Sequence, residues 1–199
     1  MIIACLGDSL TEGDYGIPGS SGIVDIHEEN YPYFLSRILG VEVRNFGKSG
    51  FTGNLYWKHY LAGNVDLTNV DVIVVMLGTN GGFKAEEETI DGNSFGKLIA
   101  ACQKDAPQAR IVLCTPPHAT ENPEYANCGF AEKVANGVAF IRKFAREHDL
   151  DLIDVANCPD FTAENEHIMQ PNDGLHYGKV GYQTMASFIA DGLKQILDI

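Results

Sequence analysis

Four short segments of this 199-residue chain carry the residue types that acyl transfer needs. Gly7-Asp8-Ser9-Leu10 offers a hydroxyl that can attack a carbonyl carbon. Asp173-Gly174-Leu175-His176 offers an imidazole that can take the hydroxyl proton. Its carboxylate, three residues earlier, can reach Nδ1 in a tight turn and leave Nε2 free for Ser9. Ser49-Gly50 and Gly78-Thr79-Asn80 offer N–H groups that can receive an oxyanion. Alone, each segment has a plainer explanation: a capped strand end, a glycine turn, a left-handed Asn, a chance pairing of Asp and His. Together they make up a serine esterase.

The elements that must position these residues are legible as a pattern. Five short apolar runs occupy residues 2–6, 41–46, 70–77, 111–115 and 150–155. The third, with its continuous β-branched centre, suits a strand buried on both faces. Helical spacing lies between them. Residues 33–39 follow Pro32. Phe95, Leu98, Ile99 and Cys102 repeat at three and four residues, as do Val134, Val138, Ile141 and Ala145, and then Met185, Phe188, Ile189, Leu193 and Ile196. Glu86-Glu87-Glu88 is expected to be a solvated helix start. Alternation of strand and helix predicts an α/β fold with a parallel sheet covered on both faces. No repeat or linker interrupts it, so one domain is expected over residues 1–199.

In such sheets ligands bind beyond the carboxyl ends of the strands. Ser9 follows the first run, Gly50 the second and Asn80 the third. All three are expected at one edge, and the loop carrying His176 can return to it. Ser9 should open a helical turn with its own N–H exposed. Gly50 should let its N–H approach a ligand where a side chain would collide.

Composition narrows the partners. The formal charge of −13 argues against a nucleic-acid backbone or an anionic membrane. No run approaches the length of a membrane span, and residues 1–6 are too short for a secretory h-region, so a cytoplasmic location is expected. Five cysteines form no CxxC pair; Cys5 and Cys114, inside apolar runs, are expected as small core residues. His27, His59, His148 and His167 have no partner at metal-ligand spacing, and no metal is expected. Gly47-Lys48-Ser49 imitates the end of a phosphate loop, but Glu42 stands where that loop needs its first glycine. The GxSxG elbow of α/β-hydrolases is absent around Ser9.

In order and spread, the four segments resemble the blocks of the GDSL, or SGNH, hydrolase family of esterases and lipases. The resemblance covers the whole chain. It implies a flavodoxin-like three-layer α/β/α sandwich with a five-stranded parallel sheet. It implies Ser9 as nucleophile and first oxyanion donor, Gly50 and Asn80 as further donors, and Asp173 and His176 as the rest of a triad. It implies no metal or organic cofactor. Two positions depart from the family pattern: Gly81 stands where the third block commonly has Asp, and Tyr177 where the last commonly has Pro. Neither supplies a catalytic atom.

The family spans several acyl and alcohol classes. Residues 13–30 and 116–129 are candidate specificity loops rich in Gly, Pro, Asn and charge, the second without large aliphatic side chains. They point to a short acyl group, acetyl above all, on a polar or carbohydrate alcohol. His118 and Tyr125, both in the second loop, are the candidate substrate contacts. Asp8 is a candidate anchor beside the nucleophile. A lysophospholipase or thioesterase, and a non-catalytic glycan-binding protein on the same fold, stand as alternatives. The expected partner is a small-molecule ester; the oligomeric state is not legible.

Overall fold

The computed structural model describes residues 1–20 and 24–199. The strands are β1 (Ile2–Gly7), β2 (Glu42–Gly47), β3 (Val72–Met76), β4 (Arg110–Cys114) and β5 (Asp151–Ile153). The helices are α1 (Ser9–Glu12), α2 (Tyr31–Leu39), α3 (Gly53–Leu61), α4 (Ile90–Asp105), α5 (Ala131–Glu147), α6 (Glu166–Met169) and α7 (Lys179–Leu197). All strand pairings are parallel, in the order β2-β1-β3-β4-β5. The chain reverses direction across the sheet at β1, which places the β1 and β3 termini beside a topological switch point.

Strand alternation divides the core into two layers. Ile3, Cys5, Val72, Val74, Met76, Val112 and Cys114 face α2 and α7, where they meet Leu35, Tyr182, Met185, Ile189 and Leu193. Ala4, Leu6, Ile73, Val75, Ile111 and Leu113 face the other way, onto Tyr56 of α3, Phe95, Leu98 and Cys102 of α4, and Ile141 of α5. Each buried aliphatic side chain contributes about 1.5–3 kcal/mol. The three central strands are covered on both faces, so β1 and β3 hold their carboxyl ends rigidly. Burial pushes the Cys5 thiol up to about 12, consistent with a small apolar role.

Several element boundaries differ from expectation, three of them for a local reason. Glu86-Glu87-Glu88 lies ahead of α4, not in its first turn. Thr89 caps that helix by accepting from Gly92 N at 2.9 Å. The glutamates instead reach outward, Glu87 to Lys84 and Glu86 to Lys143. α2 begins two residues early, because Asn30 Oδ1 accepts from Tyr33 N at 2.9 Å. β5 stops at Ile153, because Asp154 is drawn away by Arg142 and the Thr115 hydroxyl. Residues 21–23 of the first candidate loop lie outside the described residues. The flanks of that loop are joined by an antiparallel bridge between Asp14 and Asp25.

Candidate active site

β1 ends at Gly7 and the chain turns at once into α1. Asp8 is the N-cap, accepting from Leu10 N at 3.1 Å, which leaves Ser9 as the first helical residue. Ser9 is therefore not a cap. The Ser9 N–H donates to no other atom of the described chain, and its Oγ lies 2.9 Å from His176 Nε2. The cap residue Asp8 is fully buried, and burial pushes its carboxyl up to about 6.

His176 and Asp173 arrive in the turn before α7. His176 Nδ1 is 2.6 Å from Asp173 Oδ2. The other oxygen, Oδ1, accepts from Leu175 N at 3.0 Å and His176 N at 2.8 Å. The carboxylate thus folds the turn and orients the ring together. Burial would raise the Asp173 pKa, but these hydrogen bonds and the nearby imidazole hold it below the ordinary value. For His176, burial works downward, yet the Asp173 hydrogen bond and charge, joined by Asp14 and Asp8, raise the pKa above 6.5.

Asn127 is the partner that sequence reasoning missed. Its Nδ2 donates to Asp173 Oδ2 at 2.9 Å and its N–H to the Asp173 carbonyl at 3.1 Å. It is buried, and its place in a polar loop suggested specificity rather than support of the triad. Only the fold joins two residues 46 positions apart.

The Gly50 N–H is likewise unused within the described chain. Its glycine also meets a need of the backbone: the residue sits at φ 78°, where a side chain is strained, and a Cβ built there would meet no atom of the described chain within 4 Å, so the space beside it is open. Glu12 holds this turn in place, accepting from Lys48 Nζ and Ser49 N, both at 2.6 Å. One carboxylate at the end of α1 therefore ties the Ser9 helix to the Gly50 turn. Asn80 follows β3. One amide hydrogen donates to the Phe51 carbonyl at 3.1 Å, which fixes the side chain and leaves the second hydrogen available.

The two candidate substrate contacts part company. The His118 ring turns to Glu166, Nε2 to Oε1 2.7 Å, inside a hollow of ≈ 510 Å³ that neither Ser9 nor His176 lines. What His118 gives the turn carrying Asp173 and His176 is its carbonyl, which accepts from Gln170 Nε2 and the Tyr177 hydroxyl. Tyr125 packs directly on Gly174, between Asp173 and His176. Tyr177, the departure from the family pattern, is fully buried against Phe161 and Tyr182 and so anchors the turn instead of loosening it. A hollow of ≈ 660 Å³ between α4 and α5 is likewise not lined by Ser9 or His176. Among the described residues no helix is long and apolar enough to cross a membrane, and no cluster of three metal-ligating side chains occurs.

An acid–base–hydroxyl relay with the unused Ser9 N–H beside it can perform acyl transfer. The family model described as GDSL-like Lipase/Acylhydrolase matches residues 5–184. Solved structures share the fold. An aryl esterase of M. smegmatis is 16% identical, with a TM-score of 0.77 and 98% of each chain covered. A carbohydrate acetylesterase from Sinorhizobium meliloti is 21% identical, with a TM-score of 0.74, covering 98% of this chain and 99% of that one. A lipase/acylhydrolase from Enterococcus faecalis is 21% identical, with a TM-score of 0.71, covering 98% and 96%. No curated protein is similar enough in sequence to be matched. With a family match over nearly its whole length, the chain belongs to the GDSL-like lipase/acylhydrolase family and is an ester-hydrolysing enzyme.

Proposed function

We propose that this protein is a serine esterase that removes short acyl groups, acetyl above all, from a polar or carbohydrate alcohol. The observation that carries the reading is the unbroken relay Asp173–His176–Ser9, with contacts of 2.6 and 2.9 Å. Ser9 Oγ attacks the ester carbonyl while its proton passes to His176 Nε2. The oxyanion is received by the N–H groups of Ser9 and Gly50 and by Asn80 Nδ2. The alkoxide leaves with the proton, and water then repeats the sequence on the acyl-enzyme. No metal or cofactor takes part in these steps. A fluorophosphonate probe tests the reading: it should label Ser9 stoichiometrically, and labelling elsewhere or nowhere would overturn it.

One feature supports a short acyl group: the loop at residues 116–129 contains no Leu, Ile, Val, Met or Phe. Each methylene that an enzyme exploits adds roughly 0.8 kcal/mol, and only where an apolar wall receives it. The specificity constant should therefore peak at acetyl or propionyl esters and fall by octanoyl. Measuring kcat/KM from acetyl to palmitoyl decides it, and a maximum at octanoyl or longer would favour a lipase or thioesterase. The carbohydrate acetylesterase of like fold supports a sugar alcohol. For that alcohol Tyr125, seated on the triad turn, is the better placed contact; His118 is already engaged by Glu166.

Asn80→Ala should lower turnover by about 10²–10³ and leave KM nearly unchanged, because the donor matters most once charge has developed. Wild-type turnover in that variant would exclude Asn80 from the oxyanion hole. The pH profile should show an acid limb. The base must be neutral, and its pKa is raised, so kcat/KM should fall as pH drops, with a midpoint above 6.5. A flat profile from about pH 5 to 8 would remove His176 from the role.

A further inference from the structure

Asp14 stands just beyond α1 and is fully buried. Its Oδ1 accepts from Gly16 N at 2.8 Å and Val24 N at 2.9 Å, and its carbonyl accepts from the Tyr182 hydroxyl of α7 at 2.6 Å. Its Oδ2 has no hydrogen-bond partner among the described residues. That bare oxygen lies 3.4 Å from His176 Nε2, the nitrogen that faces Ser9 Oγ. The imidazole is thus set between two carboxylates, Asp173 on Nδ1 and Asp14 on Nε2.

We propose that Asp14 is a second anionic partner of the base, holding the Nε2–H of the imidazolium between its removal from Ser9 and its delivery to the leaving oxygen. This rests on the triad reading above.

A buried carboxylate oxygen without a donor leaves its desolvation uncompensated. It is offset when a cation forms against it, and the imidazolium of His176 is the one ion-pair partner of Asp14 among the described residues. While His176 is neutral, Nε2 presents a lone pair and Oδ2 gains nothing from it. Once Nε2 is protonated, Oδ2 becomes an acceptor. The interaction therefore strengthens as the reaction proceeds, which is the condition for accelerating it. The proton account stays simple. Oγ–H gives its proton to Nε2 as the Oγ–C bond forms and the carbonyl pair moves onto oxygen. On collapse the C–O bond to the alcohol breaks, its electron pair goes to the leaving oxygen, and that oxygen takes the Nε2 proton. Asp14 takes none; it is a positioning residue for the protonated ring.

Other charges bear on the same ring. Asp8 approaches from the β1–α1 junction and Asp173 from the ring's own turn. Asp25, across the bridge from Asp14, is raised by burial first and then by Glu12 and Asp14. Tyr182 from α7 is neutral and bonds only the Asp14 carbonyl among these groups.

Asp14→Asn isolates the charge. The amide oxygen can replace Oδ1 toward Gly16 and Val24, while an uncharged NH₂ replaces Oδ2. The acid limb of kcat/KM should move down by about one pH unit or more, since an opposite charge at this range shifts a pKa by about 1–3 units. Turnover on the plateau should fall about tenfold or more, with KM little changed. A merely structural role would lower the melting temperature and the amplitude but leave the midpoint in place. A ¹⁵N NMR titration of His176 reads the same shift without turnover. Should Asp14→Asn fold poorly, Asp14→Ser removes the charge with a smaller group and should move the midpoint the same way. An unmoved midpoint in a folded variant, with Ser9→Ala inactive, overturns the role of Asp14 alone. A fully active Ser9→Ala overturns the triad reading and this proposal with it.

Discussion

Ser9→Ala is expected to abolish ester hydrolysis while the fold persists. The hydroxyl makes one contact, to His176, whereas the α1 cap is Asp8 and the loop clamp is Glu12. Removing Oγ therefore strips the nucleophile and leaves the hydrogen bonds that shape the turn. Loss of a serine nucleophile in comparable hydrolases costs about 10⁶ in turnover. The purified variant should give a wild-type circular dichroism spectrum and melting curve, and no fluorophosphonate labelling. Retention of more than about a few per cent of activity would place the nucleophile elsewhere.

Asp173→Asn is expected to be the next most damaging change, lowering kcat by about 10⁴, as in the best-studied serine triads. The local reason is specific. Oδ2 accepts from both His176 Nδ1 and Asn127 Nδ2. An amide nitrogen at that position offers a donor to two donors. Relief comes if His176 moves its proton to Nε2, the tautomer that cannot accept from Ser9. If instead the amide flips, Oδ1 loses its acceptor role toward Leu175 N and His176 N, and the turn opens. Both routes disable the base. Steady-state kinetics checks the size of the effect, and a fall of less than about tenfold would take Asp173 out of the triad.

The parts of this protein that sequence reasoning reaches are those whose cause is local. Ser9, Asp173 and His176 lie in short segments whose residue types already imply their chemistry, and the strands announce themselves through unbroken apolar runs. Its failures are equally physical. Gly50 was read from the approach of a ligand alone, whereas its positive φ of 78°, which also favours glycine, is visible only in the folded turn. Glu86-Glu87-Glu88 has the charge of a helix start, yet a threonine hydroxyl one residue later is the better cap. His118 stands after β4 as expected, but the bond of its ring to buried Glu166 from a distant helix was not legible in any local spacing. Asn127 and Asp14 owe their importance to partners brought up by folding, and no spacing rule links them to His176. Tyr177 replaces a proline by a different device, filling the core and bonding to the His118 carbonyl.

The hydrogen bond between Ser9 and His176 closes a loop of 167 residues. Ser9 leaves the first strand, and His176 precedes the last helix, whose Tyr182 reaches back to the Asp14 carbonyl. No partly folded form lacking α7 can hold both reacting atoms together. Bringing Ser9 and His176 together thus carries one of the larger loop-closure entropies among the described residues. During refolding, recovery of turnover should trail any signal from the sole tryptophan, Trp57, which stacks on its near neighbour Tyr60 within α3. During synthesis, Ser9 and His176 cannot meet until the chain has been made through residue 176.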